Sequence, residues 1–440
     1  MMHNLPPRAG FILVNDVYSM ELRHVNLHLL ATQHLYCVDL PCVSHGVKFT
    51  RYYTDIPNKE RKIAVFHAIT GFIALYVIWR LVWRLRVGMP VKRMLAVLVL
   101  LASQHHLITR TFFGTMASPE VPAFVLMFLG WAFGALLISA FLLLAVDLLG
   151  VVGRLLSRSV GNVLLNNMTL RGGIAVVAMG LAAIGVWEAV RVPEVRTVEV
   201  ELKQLPPALD GFRLVQLTDL HASRLLQRPW MEAVVAKTNA LKPDLTVITG
   251  DLADGTVNAR HDDMEPLRNL TAPHGVFAIV GNHEYYVEYT QWVQRLNALG
   301  LRLLLNEHVS IGRDNAAFVL AGITDRTAAD FQQLLPDTGA ALNGIAPDTA
   351  VVLLSHRPTG AKENARAGAD LQLSGHTHGG QVLGMHWVTQ LANEGYVSGS
   401  YDVDGMHLYV SNGAGLWNGF PVRLGKRAEI TQFILRSPSL

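Results

Sequence analysis

The stretch Leu245-Thr-Val-Ile-Thr-Gly-Asp251 decides how this chain of 440 residues is interpreted. Its first five residues are apolar or β-branched, which predicts a short buried β-strand. Gly250 then allows a tight backbone turn, and Asp251 follows at the carboxyl end of that strand. Ligands of open α/β sheets bind at this end of the strands. A single Gly-Asp pair is also typical of an ordinary turn, so this stretch alone leaves both interpretations open.

Four further predicted strands end in residues of the same kind. Scattered core histidines would not all fall at strand ends, so the repetition favours a site over a set of unrelated turns. The sequences that follow these strands are Asp219-x-His221, Gly281-Asn282-His283-Glu284, His356 and Gly375-His376-x-His378.

The side chains in these sequences are nitrogen and oxygen donors, a mixture that suits Mn, Fe or Zn. The two cysteines, Cys37 and Cys42, lie far from them in the chain and supply no thiolate ligand. Seven donors exceed the needs of one tetrahedral ion and fit two ions that share a carboxylate. Two ions about 3.5–4 Å apart can clamp a phosphate group and activate a water molecule. A neighbouring histidine can protonate the leaving oxygen as a general acid.

Taken together and in this order, the five motifs resemble the signature of the calcineurin-like metallophosphoesterases, and most closely the bacterial branch with a membrane anchor. The resemblance covers about residues 200–436. It implies a four-layer α/β/β/α sandwich with the site at the edge of the sheets. It also implies that two divalent metal ions (Mn, Fe or Zn) bind to Asp219, His221, Asp251, Asn282, His356, His376 and His378.

Within that ligand set, the resemblance assigns Asp219, His221, Asp251 and His378 to one ion and Asp251, Asn282, His356 and His376 to the other. It makes His283 the catalytic acid, and Glu284 is expected to orient it. A phosphate-ester substrate would contact Asn282, His283 and Arg423, although Arg423 fits an exposed surface position equally well. Asp254 is expected to be structural or at the surface, and Trp387 and Trp417 to lie in the core or cleft wall.

Membrane spans are predicted before this domain. The chain is 51% hydrophobic and 16% charged, against a usual charged share of about 25%. The apolar excess is concentrated in residues 62–191, where we predict four transmembrane helices. The second is the weakest and also fits a re-entrant or interfacial helix. The four stretches are residues 63–79, 94–108, 121–146 and 172–187.

Basic residues cluster in the loops after the first and third spans, which the positive-inside rule places in the cytoplasm. The catalytic domain of a protein in the cell (inner) membrane would then lie outside the cytoplasm. The predicted division is a poorly defined segment (1–61), a membrane region (62–191) and a metallophosphoesterase domain (192–440).

The sequence favours a phosphoesterase acting on a monoester, diester or pyrophosphate, and the anchor makes a lipid-linked or envelope phosphate attractive. Besides the substrate, the lipid bilayer is the predicted partner. The small net charge of +3 and the lack of a basic stripe indicate no nucleic acid. One alternative is a non-catalytic metal-binding sensor or assembly protein. A transport role would require paired ionisable residues within the spans, for which His67, His105 and His106 are the candidates.

Overall fold

The computed structural model describes residues 55–115, 118–313 and 316–438. The predicted segment 1–61 lies outside these residues up to residue 54. Five helices come first in the described chain, and four of them are long and apolar enough to cross a membrane, as predicted. A short helix, α4, follows the third span. The five are α1 (Asp55–Arg80), α2 (Met89–Phe113), α3 (Ala123–Leu156), α4 (Arg158–Asn166) and α5 (Met168–Val190).

The remaining chain forms two six-stranded sheets with seven further helices. The strands are β1 (Glu194–Glu201), β2 (Phe212–Leu217), β3 (Leu245–Thr249), β4 (Val276–Ile279), β5 (Arg302–Leu303), β6 (Glu307–Arg313), β7 (Ala316–Gly322), β8 (Val351–Leu354), β9 (Leu371–Ser374), β10 (Gly399–Val403), β11 (Met406–Val410) and β12 (Glu429–Arg436). The helices are α6 (Arg228–Ala240), α7 (Val257–Met264), α8 (Asn282–Tyr286), α9 (Tyr289–Ala298), α10 (Thr338–Leu342), α11 (Ala361–Arg366) and α12 (His386–Ala392).

The two sheets pack face to face, and helices cover their outer faces. The strand orders are β1-β12-β2-β3-β4-β5 and β10-β11-β9-β8-β7-β6. Apolar side chains of both sheets, such as Leu214, Val247, Leu320 and Leu373, form the core between them. Separate apolar clusters lie under α6, α7 and α9 on one side and under α10 and α11 on the other. The predicted four-layer α/β/β/α sandwich is therefore confirmed.

Parallel pairing within each sheet positions the polar residues that follow the strands. β2, β3 and β4 are parallel neighbours, and so are β8 and β9. Their carboxyl ends consequently share one edge of the sandwich. The Gln216 side chain donates a hydrogen bond from β2 to the carbonyl of Ser374 in β9, at 3.1 Å. This buried contact holds the two carboxyl edges against each other.

A buried ion-pair cluster joins three of the membrane helices. Asp147 of α3 accepts hydrogen bonds from Tyr76 Oη at 2.7 Å, Arg80 Nε at 2.6 Å and Arg171 Nη2 at 3.0 Å. The side chains of Arg80 and Arg171 are 5% and 0% exposed. The ionisable residues in the spans therefore include this cluster as well as the three predicted histidines. Its position between α1, α3 and α5 indicates a role in holding the bundle together.

We expect Asp147→Asn to destabilise the full chain by about 3–5 kcal/mol, because breaking a buried pair leaves uncompensated charge. The thermal unfolding midpoint in detergent should fall clearly. The matched control is Asp262→Asn, where the carboxylate is 86% exposed, and it should leave the midpoint unchanged. Equal midpoints for the two variants would contradict a stabilising role for the cluster.

Candidate metal centre

The loops after β2, β3, β4, β8 and β9 bring all seven predicted donors to one buried site. Asp219, His221 and His378 present ligand atoms that lie within 4.8 Å of one another, and so do Asp251, His356 and His376. The oxygen Oδ2 of Asp251 lies 3.8 Å from His221 Nε2 in the first group and 3.2 Å from His356 Nε2 in the second. One carboxylate oxygen thus faces both groups.

The backbone at the site is unusual, because five of these residues adopt positive φ angles without being glycine. Such angles are strained for residues with a Cβ and cluster at functional sites. They turn each side chain sharply away from the strand that precedes it. The five are Asp219 (53°), His221 (45°), Asp251 (54°), His376 (69°) and His378 (49°).

Close backbone approach explains the glycine that precedes Asp251. Gly250 has a φ of 91°. A Cβ at this position would lie 2.6 Å from the backbone nitrogen of Gly281 and 2.8 Å from Nδ1 of His356. Only a residue without a side chain lets the β3 and β4 loops meet at this distance, so Gly250 permits the site to close around Asp251.

The donors in the second group fit a cation because their lone pairs converge. His356 Nδ1 lies 2.8 Å from the carbonyl oxygen of Thr249, which can only accept, so Nδ1 carries the proton. The lone pair of a neutral ring is then on Nε2. That atom faces Asn282 Oδ1 at 3.1 Å and Asp251 Oδ2 at 3.2 Å. These three atoms are electron-rich when the ring is neutral, so they fit a shared positive charge, which is either a proton on Nε2 or a metal ion that displaces it.

A third buried group is arranged differently. Asp254 Oδ1 lies 3.0 Å from His221 Nδ1 and 2.6 Å from His283 Nδ1. Ring N–H groups donating to one carboxylate form a hydrogen-bonded chain, which orients the rings and leaves their Nε2 atoms facing the site. Asp254 is therefore a buried site residue, contrary to the expectation of a structural or surface position. Its signal in the sequence is a second carboxylate three residues after Asp251.

Burial and neighbouring charges shift the pKa values of four histidines at the site. Burial lowers the pKa of His356 and of His283, but the Asp251 carboxylate outweighs this effect and raises them to about 10 and about 9. Burial beside neighbouring positive charges instead holds the pKa of His376 and His378 well below the usual value. Protons thus neutralise the carboxylates, and a metal ion would displace them, since ligands bind metal in deprotonated form.

Glu284 acts on the backbone and not on His283. Its Oε2 accepts the N–H groups of Gly281 at 2.7 Å and Asp251 at 3.0 Å, and its Oε1 accepts those of Leu252 at 2.7 Å and Ala253 at 3.3 Å. The expected orienting role falls to Asp254 instead. Glu284 clamps the β3 loop to the β4 loop and so fixes the position of the Asp251 carboxylate.

Glu284→Gln should lower the free energy of unfolding by on the order of 3 kcal/mol, since an amide nitrogen would face two backbone donors that then lose their acceptor. Thermal or denaturant unfolding of the full chain measures the effect. Glu288→Gln is the matched control, because that carboxylate accepts a single exposed backbone N–H, from Val257 at 2.9 Å. A loss no larger than that of the control would show that the clamp contributes little.

Arg423 differs from the prediction, and a second arginine at the site, Arg357, was not predicted. Arg423 is 1% exposed and donates from Nη2 to the carbonyls of Gly415 at 2.6 Å and Asn412 at 2.8 Å. It lies behind His378, so the predicted contact with a phosphate oxygen is not available in this structure. Arg357 directly follows His356 and places Nη1 2.6 Å from His376 Nε2, with Nε bonded to Asp325 at 2.8 Å. Its side chain is 14% exposed at the site.

Comparison with known proteins agrees with this geometry. Buried carboxylates and histidines that converge at the carboxyl ends of the strands are suited to metal-dependent hydrolysis. The sequence profile named "Calcineurin-like phosphoesterase" matches residues 212–380. A Helicobacter pylori protein named "Uncharacterized metallophosphoesterase" is 34% identical over 263 residues, which are 59% of this chain and 69% of that protein. The chain belongs to the calcineurin-like phosphoesterase family and is a metal-dependent phosphoesterase.

One relative carries a name that refers to the membrane. A Bos taurus protein named "Transmembrane protein with metallophosphoesterase domain" is 37% identical over 287 residues, which are 61% of this chain. The alignment spans 63% of the bovine protein's length. Together with the four apolar helices, this match identifies a membrane protein. The solved NAD nucleotidase of Haemophilus influenzae aligns with 46% of this chain and 45% of its own, at a TM-score of 0.33 and 15% identity.

Proposed function

We propose that the protein is a membrane-anchored phosphoesterase with two divalent metal ions, Mn, Fe or Zn, at its site. Asp219, His221 and His378 would hold one ion, and Asn282, His356 and His376 the other. Asp251 would contribute to both. The observation that carries this proposal is the single Asp251 oxygen that faces a histidine nitrogen of each group, at 3.8 Å and 3.2 Å.

When bound, such ions polarise a phosphoryl group and supply a nucleophile at neutral pH. The chain's own residues would orient the ester and move a proton. His283 is 12% exposed and held at Nδ1 by Asp254, which leaves Nε2 free to protonate the leaving oxygen. Asn282 and the partly exposed guanidinium of Arg357 are suited to contact phosphate oxygens. In this proposal Arg423 positions the His378 loop and does not touch the substrate.

The proposed substrate is a phosphate ester: a monoester, a diester or a pyrophosphate. The test uses the full chain in liposomes, stripped of metal and reloaded with Mn, on soluble aryl esters of all three kinds. Elemental analysis gives the metal content of the same sample. Turnover that requires metal supports the proposal. Bound metal without turnover on any of the esters would favour the non-catalytic sensor or assembly protein.

We also propose that residues 62–191 form the membrane region and residues 192–440 the catalytic domain. The protein would reside in the inner membrane with this domain outside the cytoplasm. Besides the basic loops, one contact across the chain supports the arrangement. Glu120, between the second and third spans, pairs with Arg260 of the phosphoesterase part at 2.6 Å. This ion pair supports a loop and a domain on the same side of the membrane, which is the arrangement that four spans would give.

A reporter that is active only outside the cytoplasm should be active when fused after Leu440. The same reporter fused after Ser157, in the loop that follows the third span, should be inactive, because basic loops remain in the cytoplasm. Reporter activity in cells measures both fusions. Activity of the Ser157 fusion alone would reverse the proposed orientation.

A further inference from the structure

A loop of the phosphoesterase part, residues 416–424, packs into the membrane helices and reaches the metal centre from behind. Phe420 and Val422 share a buried apolar cluster with Phe133 of α3 and Val186 of α5. The backbone N–H of Arg423 donates to the carbonyl of Gly185 in α5 at 2.9 Å, while its guanidinium lies 3.4 Å from His378 Nδ1. A single residue therefore links a membrane helix to a predicted metal ligand.

A second segment, residues 382–391, is hydrogen-bonded to the loop 416–424. It follows directly after the loop that carries the predicted metal ligands His376 and His378. The N–H of Leu383 donates to the carbonyl of Leu424 at 2.9 Å, and the N–H of Leu424 donates to Gln381 at 2.9 Å. A Cβ on Gly380 would lie 2.4 Å from the Cα of His386. This apolar segment (residues 382–391) therefore contacts the loop that carries His376 and His378.

The apolar segment contains most of the exposed large apolar side chains of its domain. Among the described residues from Val192 onward, nine large apolar side chains are exposed, and five of them lie in this segment. Trp387, expected in the core or cleft wall, is one of them. Residues 371–393 contain no Asp, Glu, Lys or Arg. The five are Leu383 (65%), Met385 (42%), Trp387 (63%), Val388 (69%) and Leu391 (86%).

The segment lies beside an exposed face of the third predicted span. A Cβ on Gly384 would be 3.8 Å from the ring of Phe141, which is itself 58% exposed. Phe141 belongs to an uncharged stretch of α3 that runs between Glu120 and Asp147. Val382 packs in the same apolar cluster as Leu137 of that helix. The exposed faces of α3 and of the apolar segment are therefore continuous, and hydrocarbon that surrounds one reaches the other.

We propose that the apolar segment is embedded in the bilayer and that the site, acting as the phosphoesterase proposed above, takes its phosphate group from a membrane lipid. Val382 follows His378 by four residues, a reach of at most about 14 Å. The headgroup layer on each side of a bilayer is about 5–8 Å thick. A site within this reach of residues in hydrocarbon is close enough for the phosphate group of a lipid to enter it. The substrate class is thus an ester that joins phosphate to an acyl- or alkyl-chain lipid.

The first test measures depth and does not depend on activity. A nitroxide is attached to Val388→Cys in the full chain, with Cys37 and Cys42 replaced by serine, in dioleoylphosphatidylcholine liposomes. Leu335→Cys is the matched control, since Leu335 is also an exposed aliphatic residue (54%). We expect the label at 388 to collide preferentially with oxygen and the label at 335 with a water-soluble nickel complex. Preference for nickel at 388 would overturn the proposal. Shielding from both reagents would indicate contact with a second copy and overturn it equally.

The second test compares two substrates with the same leaving group, 4-nitrophenyl octadecyl phosphate in the liposome and 4-nitrophenyl ethyl phosphate in solution. For a monoesterase, phosphatidic acid and glycerol 3-phosphate replace them. In Val388→Gln combined with Leu391→Gln, the ratio of lipid to soluble turnover should fall at least about tenfold, because the loss of even one of the two aliphatic contacts accounts for that factor. Leu335→Gln should leave the ratio unchanged. An unchanged ratio in the double variant would exclude the lipid class. Failure of the wild-type chain to hydrolyse any of these esters, in the liposome or in solution, would instead refute the proposed function.

Discussion

Replacing Asp251 by asparagine is expected to reduce turnover of a soluble aryl phosphate ester by on the order of 10³-fold, together with a loss of bound metal. Metal ions stabilise transition-state charge by several kcal/mol, and each 1.4 kcal/mol corresponds to tenfold in rate. An amide keeps the shape of the carboxylate but removes the negative charge that faces both donor groups. Steady-state kinetics and elemental analysis of the same purified full chain measure the two effects.

Asp244→Asn is the matched control for this experiment. Asp244 precedes β3, whereas Asp251 follows it, and Asp244 accepts the backbone N–H of Arg213 at 2.8 Å, away from the donor groups. The control should retain both turnover and metal. Asp219→Asn should affect metal binding less than Asp251→Asn, because Asp219 lies in only one of the two groups. Wild-type metal content and turnover in Asp251→Asn would refute the shared ligand.

His283→Ala should reduce hydrolysis of an alkyl phosphate ester by about 10²–10⁴-fold, the range for loss of a general acid. The same variant should lose much less with 4-nitrophenolate as leaving group, since that anion departs without a proton. The bound metal content should remain near that of the wild type, because Nδ1 of His283 is engaged by Asp254 at 2.6 Å and the ring belongs to neither proposed ligand set. Rates for a series of leaving groups measure the difference.

His261→Ala serves as the control for His283, since that ring is 55% exposed and should matter for neither substrate. Two results would contradict the assigned role. An equal loss with good and poor leaving groups would point to damaged substrate binding. A matching loss of metal would make His283 a ligand.

The strand-end motifs were sufficient to predict which side chains meet, because this follows from local pattern, whereas the four-layer sandwich was predicted through the family resemblance that the motifs carry. Alternation and β-branching indicate the strands, and parallel strands place their carboxyl ends at one edge. The uncharged stretches likewise predicted four spans. The hydrogen-bond partners of Asp254 and Glu284, in contrast, could not be predicted from the sequence. Whether a carboxylate bonds a ring or a run of backbone N–H groups depends on how two loops pack, which no spacing along one chain segment determines.

The positions of Arg423 and Trp387 also depend on tertiary contacts that the sequence does not reveal. Arg423 was predicted either to contact a phosphate oxygen or to lie exposed at the surface, yet residues 416–424 pack among membrane helices and enclose its guanidinium. An aromatic residue after a ligand loop predicts core, yet Trp387 is 63% exposed. Both outcomes depend on contacts between parts of the chain more than two hundred residues apart.

The sequence by itself determined that donor side chains follow buried strands and that apolar helices precede them, since hydrophobic period and residue chemistry are local properties. Only the tertiary structure decided which oxygen faces both donor groups, which backbone angles are strained, and which apolar surface lies beside the third span. These features arise where separate strands, loops and membrane helices come within a few ångströms, and the free energy that holds them there comes from the packing of the whole chain.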